Sequence, residues 1–84
     1  MAIVTGTFSA TGNSDAIVAG KVMVDMTFSG TATVAIQWQV DGTNWRTIES
    51  VTASAQKIVE AGGVPVRLSC TAYTNSVAYA LRSV

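Results

Sequence analysis

Five carboxylates (Asp15, Asp25, Asp41, Glu49 and Glu60) and one thiol (Cys70) are the groups in this 84-residue sequence that could move protons or attack a substrate. Hydrolysis by paired carboxylates needs two of them converging on one bond, one as the acid and the other as base or nucleophile. Here the acids lie far apart along the chain. Asp15 and Asp41 also sit in Gly/Asn/Ser/Thr turn clusters, where capping of backbone amides accounts for them. A nucleophilic cysteine needs a base to form thiolate, and the sequence has no histidine, so only a lysine or a carboxylate remains for Cys70. The inward phase of Cys70 in an alternating segment points instead to a small buried hydrophobe. One cysteine and no histidine allow neither a disulfide nor a multi-ligand metal site within one chain. No glycine-rich phosphate loop of the nucleotide-binding types is present. The residues therefore read as those of a non-enzymatic chain that needs no cofactor.

What is left are side chains suited to contact. Trp38 shares its phase with Val34, Ile36 and Val40 and reads as core. Trp45, at the exit of a turn, and Tyr73 and Tyr79, whose phenols can bury a ring while the hydroxyl meets water or a partner, are candidates for aromatic contact. Met23 and Thr27 fall on the outer side of their strand beside few charges and are candidates to cover a neighbouring subunit.

The elements that must position these residues are β-strands. Gly12, Gly20, Gly30 and Gly42 recur at 8- to 12-residue intervals, separated by runs of Val, Thr, Ala and Ile. That spacing predicts an all-β fold, a small antiparallel β-sandwich of seven or eight strands, immunoglobulin-like or jelly-roll-like, formed by residues 1–84 as one domain. A first strand is expected over Ile3–Ala10, then a turn over Thr11–Asp15 and a short strand over Ala16–Ala19. Lys21–Ser29 places Val22, Val24, Met26 and Phe28 on one face, and Ala32–Val40 places Val34, Ile36, Trp38 and Val40 on one face. These two read as a hairpin at the middle of the core. Asp41-Gly42-Thr43-Asn44 reads as a tight turn that sets Val40 opposite Trp45. Trp45 and Ile48 are then three apart in a returning strand, which calls for a bulge between them or for one of them to face outward; the bulge is the preferred reading. Ser54–Gly62 can be a two-turn helix, with Ser54 as N-cap and Gly62 beyond its end, or a loop followed by a strand over Gln56–Glu60; the all-strand surroundings favour the strand. Val64–Thr74 alternates with Val64, Val66, Leu68, Cys70 and Ala72 inward. Val77, Tyr79 and Leu81 form the apolar side of the last strand.

Composition limits the partners. Apolar residues make up 49% and charged residues 12%, with five basic side chains against five acidic ones. Soluble chains average roughly 25% charged residues, and small domains near zero net charge tend to associate. Part of the surface is therefore expected to be covered in use. Lys21, Arg46, Lys57, Arg67 and Arg82 are scattered singly, which argues against a nucleic-acid partner. No apolar run approaches the ~20 residues of a membrane span, and the first residues lack the charged and apolar regions of a secretory signal. The expectation is synthesis in a cytoplasm, consistent with a free Cys70.

Three stretches carry likenesses to known families. Val66-Arg67-Leu68-Ser69-Cys70-Thr71 resembles the first cysteine strand of an immunoglobulin domain, although both tryptophans precede Cys70 and no second cysteine follows. Asp41-Gly42-Thr43-Asn44-Trp45 resembles the Asp-box hairpin of sialidase-type propellers, in a single copy and with a shorter spacing. Across nearly the whole chain, Gly6–Gly12, Val40–Trp45 and Val66–Thr74 are similar to small β-sandwich virion proteins of tailed bacteriophages, the capsid decoration (cement) proteins. That resemblance implies a structural role on the outer capsid surface, the major capsid protein as partner, a homo-oligomer with a trimer favoured, and synthesis in the host cytoplasm. It also implies docking through one end or edge of the sandwich, for which an arm such as residues 1–4 could add a strand to a capsid edge. The alternative is a carbohydrate- or receptor-binding module of a fibre or adhesin, with Trp45, Tyr73 and Tyr79 as an exposed aromatic platform.

Overall fold

A segment that places an apolar residue at every second position can bury one face and solvate the other only as a strand. The computed structural model describes residues 3–83. It contains β1 (Ile3–Phe8), β2 (Gly12–Asn13), β3 (Ile17–Val18), β4 (Lys21–Phe28), β5 (Ala32–Trp38), β6 (Arg46–Val51), β7 (Ala55–Glu60), β8 (Pro65–Tyr73) and β9 (Val77–Ser83). Two antiparallel sheets pack face to face: a four-stranded sheet in the order β1-β9-β4-β7, and a five-stranded sheet in the order β2-β8-β5-β6, with β3 also on β8. The protein is thus an all-β sandwich. Seven strands are six residues or longer, and β2 and β3 are two-residue pieces that together line one edge.

The core lies between the sheets. Val22, Val24 and Met26 of β4 and Val77 and Leu81 of β9 meet Val34 and Ile36 of β5 and Val66, Leu68 and Cys70 of β8, all fully buried or nearly so. Burying a Val, Leu, Ile or Met side chain contributes roughly 1.5–3 kcal/mol, so this double row is the main source of stability in a chain with no disulfide. Trp38 packs against the rim of that core, as its phase predicts. Residues 55–60 form a strand, not a helix. β7 supplies the hydrogen-bonding partner for the edge of β4, from Lys21↔Glu60 to Met26↔Ala55, which a helix would leave unpaired.

Four expectations need correction. β4 and β5 are not a hairpin: β4 pairs with β7 and β9, and β5 with β6 and β8. Residues 29–31 instead arch from one sheet to the other. They are held by the second arch beside them: Ser29 N–H donates to Ser76 O at 3.0 Å, Thr31 N–H to Asn75 Oδ1 at 3.0 Å, and Asn75 N–H to Thr31 O at 2.9 Å. Val40 does not face Trp45 across a tight turn. The closing pair is Trp38↔Arg46, and Val40 is 61% exposed in the connection. Ala72 is exposed, because Val34 pairs with Cys70 while Thr33 pairs with Ala72; Thr71 is an extra residue and the phase of β8 reverses beyond it. Finally, Ile3 and Val4 are no free arm, since they pair with Arg82 and Leu81 within β1; Met1 and Ala2 lie outside the described residues. The expected bulge after Trp45 does occur, with Ile48 unpaired between Gln37↔Thr47 and Ile36↔Glu49.

Candidate functional site

The two sheets turn different outer faces to the surroundings. On the five-stranded sheet, register places Thr47, Gln37 and Arg67 in one row and Ser50, Ala35, Ser69 and Asn13 in the next. Apart from Arg67 and Gln37 these are small or hydroxylated side chains, which solvate a sheet face with little charge. On the four-stranded sheet, Ile3 pairs with Arg82, Arg82 with Met23, and Met23 with Ile58. One row across all four strands therefore carries three large apolar side chains, exposed by 56% (Ile3), 45% (Met23) and 62% (Ile58). The rows beyond it read Thr5, Ala80, Asp25, Gln56 and then Thr7, Ala78, Thr27. Ala80 leaves the middle of the face low. An open groove of about 470 Å³ results, with Met23, Asp25, Gln56, Ile58, Ala80 and Arg82 among its lining.

Scattered apolar residues on a surface need no explanation, but Met23 and Ile58 are direct cross-strand neighbours beside a groove, with Arg82 between them and Ile3, and an exposed apolar pair so placed marks a contact site. Its charges are spaced. Lys21 and Glu60 face each other across β4 and β7 at 4.0 Å, one row from the Met23–Ile58 pair, and Asp25 lies one row to the other side. Asp25 and Glu60, two rows apart on neighbouring strands, are about 14 Å from each other by strand geometry, too far for two carboxyls to flank one glycosidic bond.

The sequence candidates fall in separate places. Met23 and Thr27 share the outer face of the four-stranded sheet. Trp45 lies on the opposite side of the molecule, its ring under the Arg67 guanidinium at 4.2 Å, while Arg67 Nε–H donates to Gln37 Oε1 at 3.0 Å. Burial lowers the Arg67 pKa from its ordinary value without removing the charge, so the stack is a cation–π contact. Tyr73 ends β8 opposite Ala32, six residues or ~20 Å of strand from Arg67. Tyr79 points into the sandwich and stacks on Phe8 with centroids 4.7 Å apart. Trp45, Tyr73 and Tyr79 thus form no common platform. The inward turn of Tyr79 has a local cause: Gly6 lies opposite it on β1, and the Tyr79 ring fills the place a side chain would take there.

Reactive groups are held in structural roles. Cys70 is buried, which pushes its thiol pKa up, and its Sγ–H lies 3.5 Å from Ala72 O. Asp41 caps its own loop: Oδ1 accepts Thr43 N–H at 2.9 Å and Asn44 N–H at 2.7 Å, and Oδ2 accepts Asn44 Nδ2–H at 2.9 Å. These bonds hold its carboxyl at about 2, and Gly42, at φ 77°, makes the turn that allows them. Glu49 pairs with Lys57 at 2.6 Å. Among the described residues no group of three or more His, Cys, Asp or Glu side chains could hold a metal ion.

Sequence reasoning found Met23 but missed the row, because Ile3 and Ile58 join it only through the register of four strands. The signal available was an apolar residue at the outward position of each of three strands. Comparison with protein-family models, with characterised proteins and with solved structures finds no match to this chain.

Proposed function

We propose that this protein is a non-enzymatic structural module that docks on a larger assembly through the outer face of its four-stranded sheet, and that the assembly is the head of a tailed bacteriophage, where the chain acts as a capsid decoration protein. The observation that carries the docking part is the exposed row Ile3–Arg82–Met23–Ile58, with Met23 and Ile58 adjacent, beside the groove at Ala80. The whole-chain likeness to virion sandwiches supports the capsid part, and the low charge supports a surface that is covered in use. A rigid sandwich seated across a junction between coat subunits would add buried apolar area at every copy, and many such contacts stiffen a shell through multivalency.

Capsids stripped of this protein, mixed with the purified chain, should take it up to a fixed copy number. Ile58→Lys places a charge in the row without touching the core, and should lower uptake at least about tenfold, the effect of losing one contact worth ~1.4 kcal/mol. The docking face is wrong if Ile58→Lys binds as well as the parent chain. Absence of uptake by the parent chain removes the capsid assignment.

A further inference from the structure

The two long sides of the sandwich are protected unequally. On one side the edge strands β6 and β7 stand beside each other. β6 carries the Ile48 bulge and turns Glu49 inward opposite Ile36, and β7 turns Lys57 inward opposite Val24. The two charges meet at 2.6 Å across the gap between the sheets. A bulge and inward-pointing charges are the devices by which sheet proteins stop an edge from recruiting another strand. On the other side, β1 has none of them. Its six residues, Ile3-Val4-Thr5-Gly6-Thr7-Phe8, contain no charge, no proline and no bulge, and pair in unbroken register with β9 alone. Among the described residues no hydrogen bond reaches its outer edge.

We infer that β1 is a self-association edge, and that a second copy of this chain pairs with it antiparallel about Thr5. Face parity limits the choice of register. Ile3, Thr5 and Thr7 point outward, and Val4, Gly6 and Phe8 point toward the core side. A two-fold pairing must set outward residues against outward ones. Centring on Thr5 or on Gly6 pairs five residues of the strand, and Thr5 is preferred because centring on Gly6 sets Gly6 against itself and Val4 against Phe8: about Thr5, Ile3 faces Thr7 of the second copy, Val4 faces Gly6, and Thr5 faces Thr5. Val4 against Gly6 sets a branched side chain beside the Tyr79 ring that lies over Gly6, and Thr5 against Thr5 is a favourable cross-strand hydroxyl pair. Every pair is uncharged, which favours a copy of the same strand over a charged partner. The nearest cations on that face, the two Arg82 side chains, end up ~19 Å apart by strand geometry, beyond the screening length at physiological salt. The four-stranded sheet becomes eight-stranded across the pair. The inference stands on β1 alone and does not require the capsid assignment.

Sedimentation equilibrium of the full chain tests it. The expected result is a monomer–dimer equilibrium. Thr5→Lys opposes two ammonium groups at the two-fold axis and should weaken association at least about fivefold, equivalent to ~1 kcal/mol for one like-charged cross-strand pair. Thr5→Cys should give a disulfide-linked dimer on mild oxidation, because residue 5 meets its own copy, whereas Thr27→Cys, on a central strand of the same face, should not. A monomer at every concentration, a trimer, a dimer unaffected by Thr5→Lys, or cross-linking through Thr27→Cys in place of Thr5→Cys would each overturn the pairing. Retained thermal unfolding of Thr5→Lys separates a lost interface from a lost fold.

Discussion

Replacing Ser14 with alanine should destabilise this protein far more than a turn serine ordinarily would. Ser14 is the one buried polar residue among those described. It lies at the gap between β2 and β3, where the edge of the five-stranded sheet breaks between Asn13↔Ser69 and Ile17↔Val66. Across that gap Leu68 of β8 still has a buried backbone to satisfy. Its carbonyl accepts Ser14 N–H at 2.8 Å, and its N–H donates to Ser14 Oγ at 2.9 Å, while Oγ–H donates to Asp15 O at 3.0 Å. The hydroxyl therefore stands where a strand carbonyl would be. Ser14→Ala keeps the backbone bond but strands the buried Leu68 N–H, a loss of about 1–3 kcal/mol. For a domain of this size each kcal/mol lowers Tm by roughly 4–8 °C. Urea unfolding followed by circular dichroism should show a lower midpoint at unchanged m-value, and the Leu68 amide should exchange faster with solvent. Ser50→Ala, on the exposed outer face of β6, is the control and should stay within about 0.5 kcal/mol. If Ser14→Ala matches that control and Leu68 remains protected, the hydroxyl is not its partner and the reasoning fails.

Two further predictions concern the loop and the β1 edge. Asp41 is held at about 2 from an ordinary 3.8 by the amides of Asn44 and Thr43 and by the Asn44 side chain. A depressed folded-state pKa contributes stability that is full above the unfolded value and fades as pH falls from about 4 toward 2, so Asp41→Asn should flatten the stability–pH curve in that window, with the deficit against the parent chain largest at neutral pH and closing toward pH 2. Parallel curves for the two proteins from pH 5 to 2 would contradict it. Gly6→Ala would place a Cβ 2.6 Å from Tyr79 Oη and, by forcing the ring off Phe8, should cost about 1–3 kcal/mol in urea unfolding. Tyr79→Phe removes the nearest clashing atom, so the double variant should recover at least ~0.5 kcal/mol relative to additivity, and strict additivity would count against the contact.

Which residues face the core was legible in the sequence, and which sheet they belong to was not. Alternation correctly assigned Val22, Val24 and Met26, then Val34 and Ile36, then Val77 and Leu81. A period of two reports only the direction of a side chain relative to buried space, however, and the inner faces of two packed sheets read identically. Ser29-Gly30-Thr31 has the composition of a hairpin turn and acts as an arch, because its partners are Asn75 and Ser76 of another loop. The Ile48 bulge was legible from the spacing of Trp45 and Ile48, whereas Thr71 carries no glycine to mark it, so the phase reversal that exposes Ala72 left no local trace. Ser14 reads as turn vocabulary, and its function appears only when Leu68 is placed beside it. Tyr79 was legible in phase, as an inward residue, but its fate depended on Gly6, which is remote in sequence.

The charge distribution ties the two contact surfaces together. Lys57 and Glu49 seal one side of the sandwich, Asp41 is absorbed by its own loop, and Arg67 is held between Trp45 and Gln37. Low charge is therefore not spread evenly. It leaves β1 bare, and around the Ile3–Met23–Ile58 row it places Arg82 within the row, Asp25 one row to one side and the Lys21–Glu60 pair one row to the other. Ile3 belongs to both surfaces, as the edge strand's first described residue and as the end of the apolar row. A pair joined along β1 by a two-fold axis normal to the sheet turns both outer faces the same way. Two apolar rows then lie in one surface, and a flat partner engages both at once. The second engagement becomes intramolecular, so a contact too small to hold one copy can hold two. Ile58→Lys would then weaken docking in paired and unpaired chains alike. Thr5 lies one row from Ile3 on the same outer face, so Thr5→Lys would weaken docking both directly and through the lost pairing; comparing the oxidised, disulfide-linked Thr5→Cys pair with its reduced form on one docking surface separates the edge from the face.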